Sequence, residues 1–141
     1  MEKILCATRG GEASRKTQDA VIVMAKEAGA SVLFLYIVDV EFLKLTARGV
    51  RTDVVATELE HMGEFILALA VERAAAQGVE ADICVRHGSL IEGLESAARE
   101  EGVDAIAFGR PAGAESSFSL ADLERLAARI EEDTGIQTYI V

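Results

Sequence analysis

Three short stretches of this 141-residue chain bring together residue types that could hold an anion. They are Thr8-Arg9-Gly10-Gly11, Arg86-His87-Gly88-Ser89 and Gly109-Arg110-Pro111. Each places an arginine next to a glycine or one residue removed from it, and the missing glycine side chain lets backbone amides approach a ligand closely. Helix N-termini expected at Ser14, Ser89 and Ser119 would add partial positive charge to the same places. The competing reading makes Arg9, Arg86 and Arg110 solvated loop charges balanced by Glu12, Asp39, Glu41 and Glu115. Catalysis finds less support. His87 has no carboxylate or cysteine at ligand spacing, and no set of nucleophile, base and orienting group emerges. A phosphorelay receiver needs paired acids where Thr8-Arg9 stands and an aspartate where His87-Gly88 stands. A nucleotidyltransferase of this architecture needs His-x-Gly-His, which His87-Gly88-Ser89 does not supply. The chain is therefore read as a non-enzyme without a metal.

The elements that must position these stretches alternate along the chain. Ile4 to Ala7 is a short apolar strand. A helix follows from about Ser14, with Ala20, Val21, Met24 and Ala28 on one face and Gly29 as its stop. Val32 to Val38 is continuously apolar, as expected of a strand buried on both faces of a parallel sheet. After a mixed connection over 39–52, a long helix is expected from Thr52 to Gln77. Its apolar positions Val55, Leu59, Met62, Ile66 and Leu69 share a face. Val79 to Val85 alternates apolar and polar, which predicts a strand at a sheet edge. A helix from Ser89 to Gly102 turns Leu90, Ile91, Leu94 and Ala98 inward, and Val103 to Phe108 is a fourth strand. Beyond the irregular 109–117 loop, Ser119 and Asp122 form a capping-box variant. Leu120, Leu123, Leu126, Ala127 and Ile130 line the last helix. Gly135 ends it and Ile136 to Val141 is a fifth strand. This βαβαβαβαβ order makes residues 1–141 one α/β domain, with helices on both faces of a mainly parallel, doubly wound sheet. Such sheets bind ligands beyond the carboxyl ends of their strands, which is where the three stretches fall.

Composition narrows the partners. Twenty-four acidic against 14 basic side chains give a net charge of −10, and no run of Lys or Arg exists. Nucleic acid and anionic membranes are thereby disfavoured. The longest apolar run, Val32 to Val38, is too short to span a bilayer. Met1-Glu2-Lys3-Ile4 runs straight into a strand-like segment rather than a signal peptide. Cys6 and Cys84 lack Cys-x-x-Cys spacing and read as buried reduced thiols, so the expected location is the cytoplasm.

Several strings, taken in order, resemble the universal stress protein family over nearly the whole chain. Lys3 to Ser14 looks like its opening strand, turn and helix, and Ala28 to Val38 like its second strand. Val85-Arg86-His87-Gly88-Ser89-Leu90, then Ile91 to Val103 and Asp104 to Gly109, look like its third strand, third helix and fourth strand. The resemblance implies a five-stranded sheet in the order 3-2-1-4-5 and a homodimer formed by the last strands, here Ile136 to Val141. It also implies a nucleotide crevice, where two departures matter. ATP-binding members carry Gly-x-x-Gly and, further on, Gly-Ser or Gly-Thr. Here Gly109 and Gly113 are separated by three residues and no such pair follows. Arg9 stands where the family has an aspartate that reaches the ribose. Backbone recognition of adenine near Ile37 and Val38 needs no particular side chain. The resulting expectation is a non-catalytic, dimeric stress-response or regulatory protein with lost or altered nucleotide binding, and no cofactor is assigned. The alternative is a binder of ATP, AMP or another small phosphate-bearing ligand at the ends of strands 1 and 4. Its candidate residues are Thr8, Arg9, Gly10, Ile37, Val38, His87, Gly88, Gly109, Arg110 and Gly113.

Overall fold

A computed structural model describes residues 1–8, 11–39, 52–111 and 119–141. The elements run β1 (Lys3–Ala7), α1 (Gly11–Ala28), β2 (Ser31–Val38), α2 (Thr52–Ala76), β3 (Ala81–His87), α3 (Leu90–Glu100), β4 (Ala105–Phe108), α4 (Leu120–Thr134) and β5 (Gln137–Ile140). The five strands form one sheet in the order β3-β2-β1-β4-β5. Every pair is parallel: Leu5 lies opposite Leu33 of β2 and Ile106 of β4, Phe34 opposite Ile83, and Ala107 opposite Tyr139.

The strand alternation sorts the core into two layers. Ile4, Cys6, Val32 and Phe34 face α1 and α2, against Val21, Ala25, Leu67 and Ala70. Leu5, Leu33, Leu35 and Ile106 face α3 and α4, against Leu94, Leu126 and Ile130. β1 and β2 are buried on both faces, as their unbroken apolarity predicts.

Leu120, expected to line α4, is 40% exposed, and Ala20 and Ala28 of α1 are exposed as well; three larger expectations also need correcting. α1 begins at Gly11 rather than near Ser14. β3 runs Ala81–His87 rather than Val79–Val85. Gly78 turns left-handed (φ 76°) after α2, and Val79 folds back under the helix end, its amide donating to the Ala74 carbonyl at 2.9 Å. The strand that follows is an edge strand, as its alternation suggested, yet Ile83 is 46% exposed. The third correction concerns the face of α2. Met62 and Leu69, expected inside, are 53% and 42% exposed. The buried stripe runs instead through Gly63, Leu67, Ala70 and Ala74. Apolar residues lie around most of this helix, so periodicity does not single out one face. Close approach does: a methyl group on Gly63 would stand 2.4 Å from the Tyr36 ring, so glycine lets α2 press onto β2.

Candidate ligand crevice at the carboxyl edge of the sheet

β1 and β4 are neighbours, with Cys6 opposite Ala107, so Thr8 and Gly109 leave the sheet side by side. β2 and β3 end together on the other side of β1, with Val38 opposite His87. The structure thus divides the candidate residues between two places. Thr8, Gly109 and Arg110 mark the β1/β4 end. Ile37, Val38, His87 and Gly88 mark the β2/β3 end, which begins one strand spacing of about 5 Å from β1 and reaches about 14 Å from β4 at β3. Arg9, Gly10 and Gly113, with Glu41 and Glu115, lie outside the described residues.

At the first place, Thr8 is 4% exposed and its amide donates to the Leu35 carbonyl at 2.8 Å, extending β1 along β2. Its hydroxyl accepts from the Gln18 side-chain amide, and the Gln18 carbonyl oxygen accepts from the Arg73 guanidinium. Because arginine only donates, this chain fixes which way the Gln18 amide points. Arg73 also donates to Asp19 at 3.3 Å, which ties α2 to α1. Thr8 is therefore the buried end of a network joining β1, α1 and α2. Gly109 sits against Thr17 of α1: a methyl group there would lie 1.9 Å from the Thr17 Oγ1. That space belongs to a helix. Arg110 is exposed, and its amide donates to the Val141 carbonyl at 3.3 Å, prolonging the β4–β5 pairing.

At the second place, His87 contacts the Glu60 carboxylate of α2 through Nε2, so the ring bridges the edge strand to the helix above it. Gly88 adopts φ 126°, a conformation that favours glycine, and its amide donates to the Val38 carbonyl at 3.0 Å. Ser89 caps α3 by accepting from the Glu92 amide at 3.2 Å. Ile37 packs on α3, where a methyl group on Gly93 would come within 2.8 Å of its Cδ1. Arg86, counted among the cations of this edge, turns away from it. It pairs with Glu100 at 2.6 Å and Glu101 at 3.4 Å, and its Nε donates to the Cys84 sulfur at 3.2 Å.

Sequence reasoning missed Gln18, Arg73, Glu60 and Thr17. Gln18 carried a visible signal, because it shares the inward stripe of α1 with Val21, Ile22 and Ala25 and is only 3% exposed. A polar side chain in such a stripe needs a partner. The other three depend on which helix lies over which strand. Among the described residues, no group of three His, Cys, Asp or Glu side chains could hold a metal ion. An open depression of about 530 Å³ lies at the opposite, amino edge of the sheet, between Lys3, Ser31, Val79 and Glu80. No helix among the described residues is long and apolar enough to cross a membrane.

A five-stranded parallel sheet in the order β3-β2-β1-β4-β5, with helices on both faces, defines a Rossmann-like α/β protein. The chain belongs to the universal stress protein family, whose sequence profile matches residues 1–126. It is similar in structure to a universal stress protein family member from Burkholderia pseudomallei, at 21% identity and TM-score 0.76, covering 99% of this chain and 95% of that one. It is also similar to a universal stress protein in complex with cAMP, at 17% identity and TM-score 0.66, with 99% and 95% covered. A third similar structure is the universal stress protein from Archaeoglobus fulgidus in complex with dAMP, at 14% identity and TM-score 0.59, with 99% and 97% covered. No curated protein matches the chain.

Proposed function

We propose that this chain is a non-catalytic, cytoplasmic regulatory protein of the stress-response type, working as a homodimer through β5, in which ordinary ATP binding has been lost or altered. The observation that carries this reading is that, among the described residues, three candidate positions at the carboxyl edge are met by the protein's own side chains. His87 meets Glu60, the Thr8 hydroxyl accepts from Gln18, and Thr17 fills the space beside Gly109. The arginine at position 9 and the broken glycine spacing at 109 and 113 point the same way. Two free cysteines, Cys6 and Cys84, suit a reducing compartment.

A second reading is supported by Arg110, which is exposed at the β1/β4 end. Together with the cAMP- and dAMP-bound relatives, it favours a small phosphate ester such as AMP over a triphosphate. Thermal denaturation with ATP, AMP and cAMP separates the two. Ligand at a hundredfold excess over Kd stabilises a protein by about 2.7 kcal/mol, an easily measured shift. The first reading expects no shift with any nucleotide. The second expects one with AMP or cAMP that is lost in Arg110→Ala. A shift with ATP that survives Arg9→Ala overturns both.

A further inference from the structure

The outer edge of β5 is closed by the protein's own side chain. α4 ends at Thr134, and Gly135 takes a left-handed conformation (φ 72°) whose amide donates to the Glu131 carbonyl at 2.8 Å. This tight turn sends β5 back beside the last turn of α4. There the Glu131 carboxylate accepts from both the Thr138 amide and the Thr138 hydroxyl, each at 2.8 Å. These two bonds hold the Glu131 carboxyl below the usual carboxylate range, the backbone bond contributing most.

The register shows which edge is closed. The Val141 amide donates to the Phe108 carbonyl at 2.8 Å and the Val141 carbonyl accepts from Arg110, so Val141 faces β4. The amide and carbonyl of one strand residue point the same way, and the direction alternates along the strand. Gln137 and Tyr139 therefore also face β4, while Thr138 and Ile140 face outward. The Thr138 amide that Glu131 captures is one of the two outward donors of β5.

We infer that Glu131 competes with a partner strand for the Thr138 amide, and so sets how strongly two copies of this chain associate. This rests on the proposed β5 homodimer. The occupant is a second copy because the strand is self-complementary. An antiparallel two-fold pairing centred on Tyr139 sets Thr138 of one chain opposite Ile140 of the other, where each residue offers its amide and carbonyl to its opposite number. Half of the ladder then comes from the two Thr138 amides. Gln137-Thr138-Tyr139-Ile140-Val141 carries no charged side chain, although the protein has a net charge of −10, so the side chains of identical strands meet there without like-charge repulsion. Tyr139, Ile140 and Val141 are only half-buried, which leaves apolar surface for the partner to cover. Glu131 is the charged group hydrogen-bonded to this edge, and it must swing away before the ladder forms.

Sedimentation equilibrium on the full chain, Glu131→Ala, Thr138→Pro and the double variant tests this. Glu131 is exposed, and Thr138→Pro removes an amide that β4 does not use, so both changes spare the core. Glu131→Ala should tighten association by about tenfold per released cap, and up to about a hundredfold for the two in a dimer. Thr138→Pro should abolish association with or without Glu131. In dilute monomer, the Thr138 amide should exchange with solvent faster in Glu131→Ala than in the parent chain. Association that Thr138→Pro abolishes but Glu131→Ala leaves unchanged overturns the competition and keeps the β5 dimer. Equal exchange rates at Thr138 overturn the cap. Association indifferent to Thr138→Pro, or none in any variant, refutes the β5 dimer and the competition with it.

Discussion

Replacing Gly109 with alanine asks whether this glycine serves a phosphate or a helix. The backbone at Gly109 is not left-handed, so alanine meets no conformational penalty there. By stiffening the unfolded chain, it should even gain about 0.4–1 kcal/mol. Against this stands a collision: the new methyl would lie 1.9 Å from the Thr17 Oγ1, 2.9 Å from its Cβ and 3.0 Å from its Cγ2. The Thr17 hydroxyl donates to the Ala13 carbonyl at 3.1 Å, so rotating it away sacrifices a bond worth about 1 kcal/mol. Overpacking adds about 1–3 kcal/mol, because α1 is held on the sheet by Val21, Ile22 and Ala25. The collision wins, with a net loss of about 1–3.5 kcal/mol and a fall in Tm of about 3–12 °C without any ligand. Thr17→Ala removes Oγ1 and Cγ2 but keeps the Cβ at 2.9 Å, so Thr17→Ala/Gly109→Ala should recover part of the loss. Calorimetric or circular-dichroism melts of the four proteins complete the cycle. If Gly109→Ala melts with the parent chain, or the double variant melts no higher than Gly109→Ala, the packing account of this glycine is wrong.

Three further outcomes follow from the packing and the charges. Gly63→Ala gains about 1 kcal/mol of helix propensity, yet it drives a methyl to 2.4 Å from Cδ1 and 2.7 Å from Cγ of Tyr36. An atom as close to the backbone as Cγ cannot swing aside, so chemical denaturation should show a net loss of about 1 kcal/mol, and a gain would place α2 farther from β2. The Asp104 carboxyl is held below its usual range, first by the Lys3 amide and then by the Glu2 amide, which reaches it at 2.9 Å. A depressed carboxylate contributes stability above its unfolded value of about 4 and loses it as pH falls through the lower folded value. Urea midpoints should therefore fall below about pH 4, less steeply in Asp104→Asn, which should also be the weaker protein at pH 7. Burial pushes the Cys6 thiol up to about 12, whereas Cys84 is half-buried. An aromatic disulfide reagent at neutral pH should thus titrate only Cys84 in the folded chain and reach Cys6 after unfolding. Rapid modification of both thiols in the native state would contradict the core assignment.

Features set by neighbouring residues were legible in the sequence. Continuous apolarity marked β2 as buried on both faces, and alternation marked β3 as an edge. Ser119 and Asp122 form the capping box read from their spacing, with the Asp122 amide donating to Ser119 Oγ at 3.1 Å and the Ser119 amide donating to Asp122 Oδ2 at 3.1 Å. Periodicity, caps and glycine stops act within a turn or two of chain, so the alternation of strands and helices, and with it the fold class, is written locally. The α2 face was not legible, because Met62 and Leu69 fit the helical period as well as Leu67 and Ala70 do. Only the ring of Tyr36, arriving from β2, selects the side carrying Gly63.

The candidate site divides the same way. Sequence supplied the residues at the carboxyl edge, but an arginine in a loop looks alike whether it awaits a ligand or already has a partner. Arg86 reaches Glu100 and Glu101 at the far end of α3, His87 meets Glu60 across 27 positions, and Gln18 meets Arg73 across 55. Such pairings depend on which helix crosses which strand. Sequence by itself therefore determined the scaffold and the edge where a ligand would sit. Tertiary structure decided which polar groups at that edge are already satisfied, because hydrogen-bond partners are set by proximity in space.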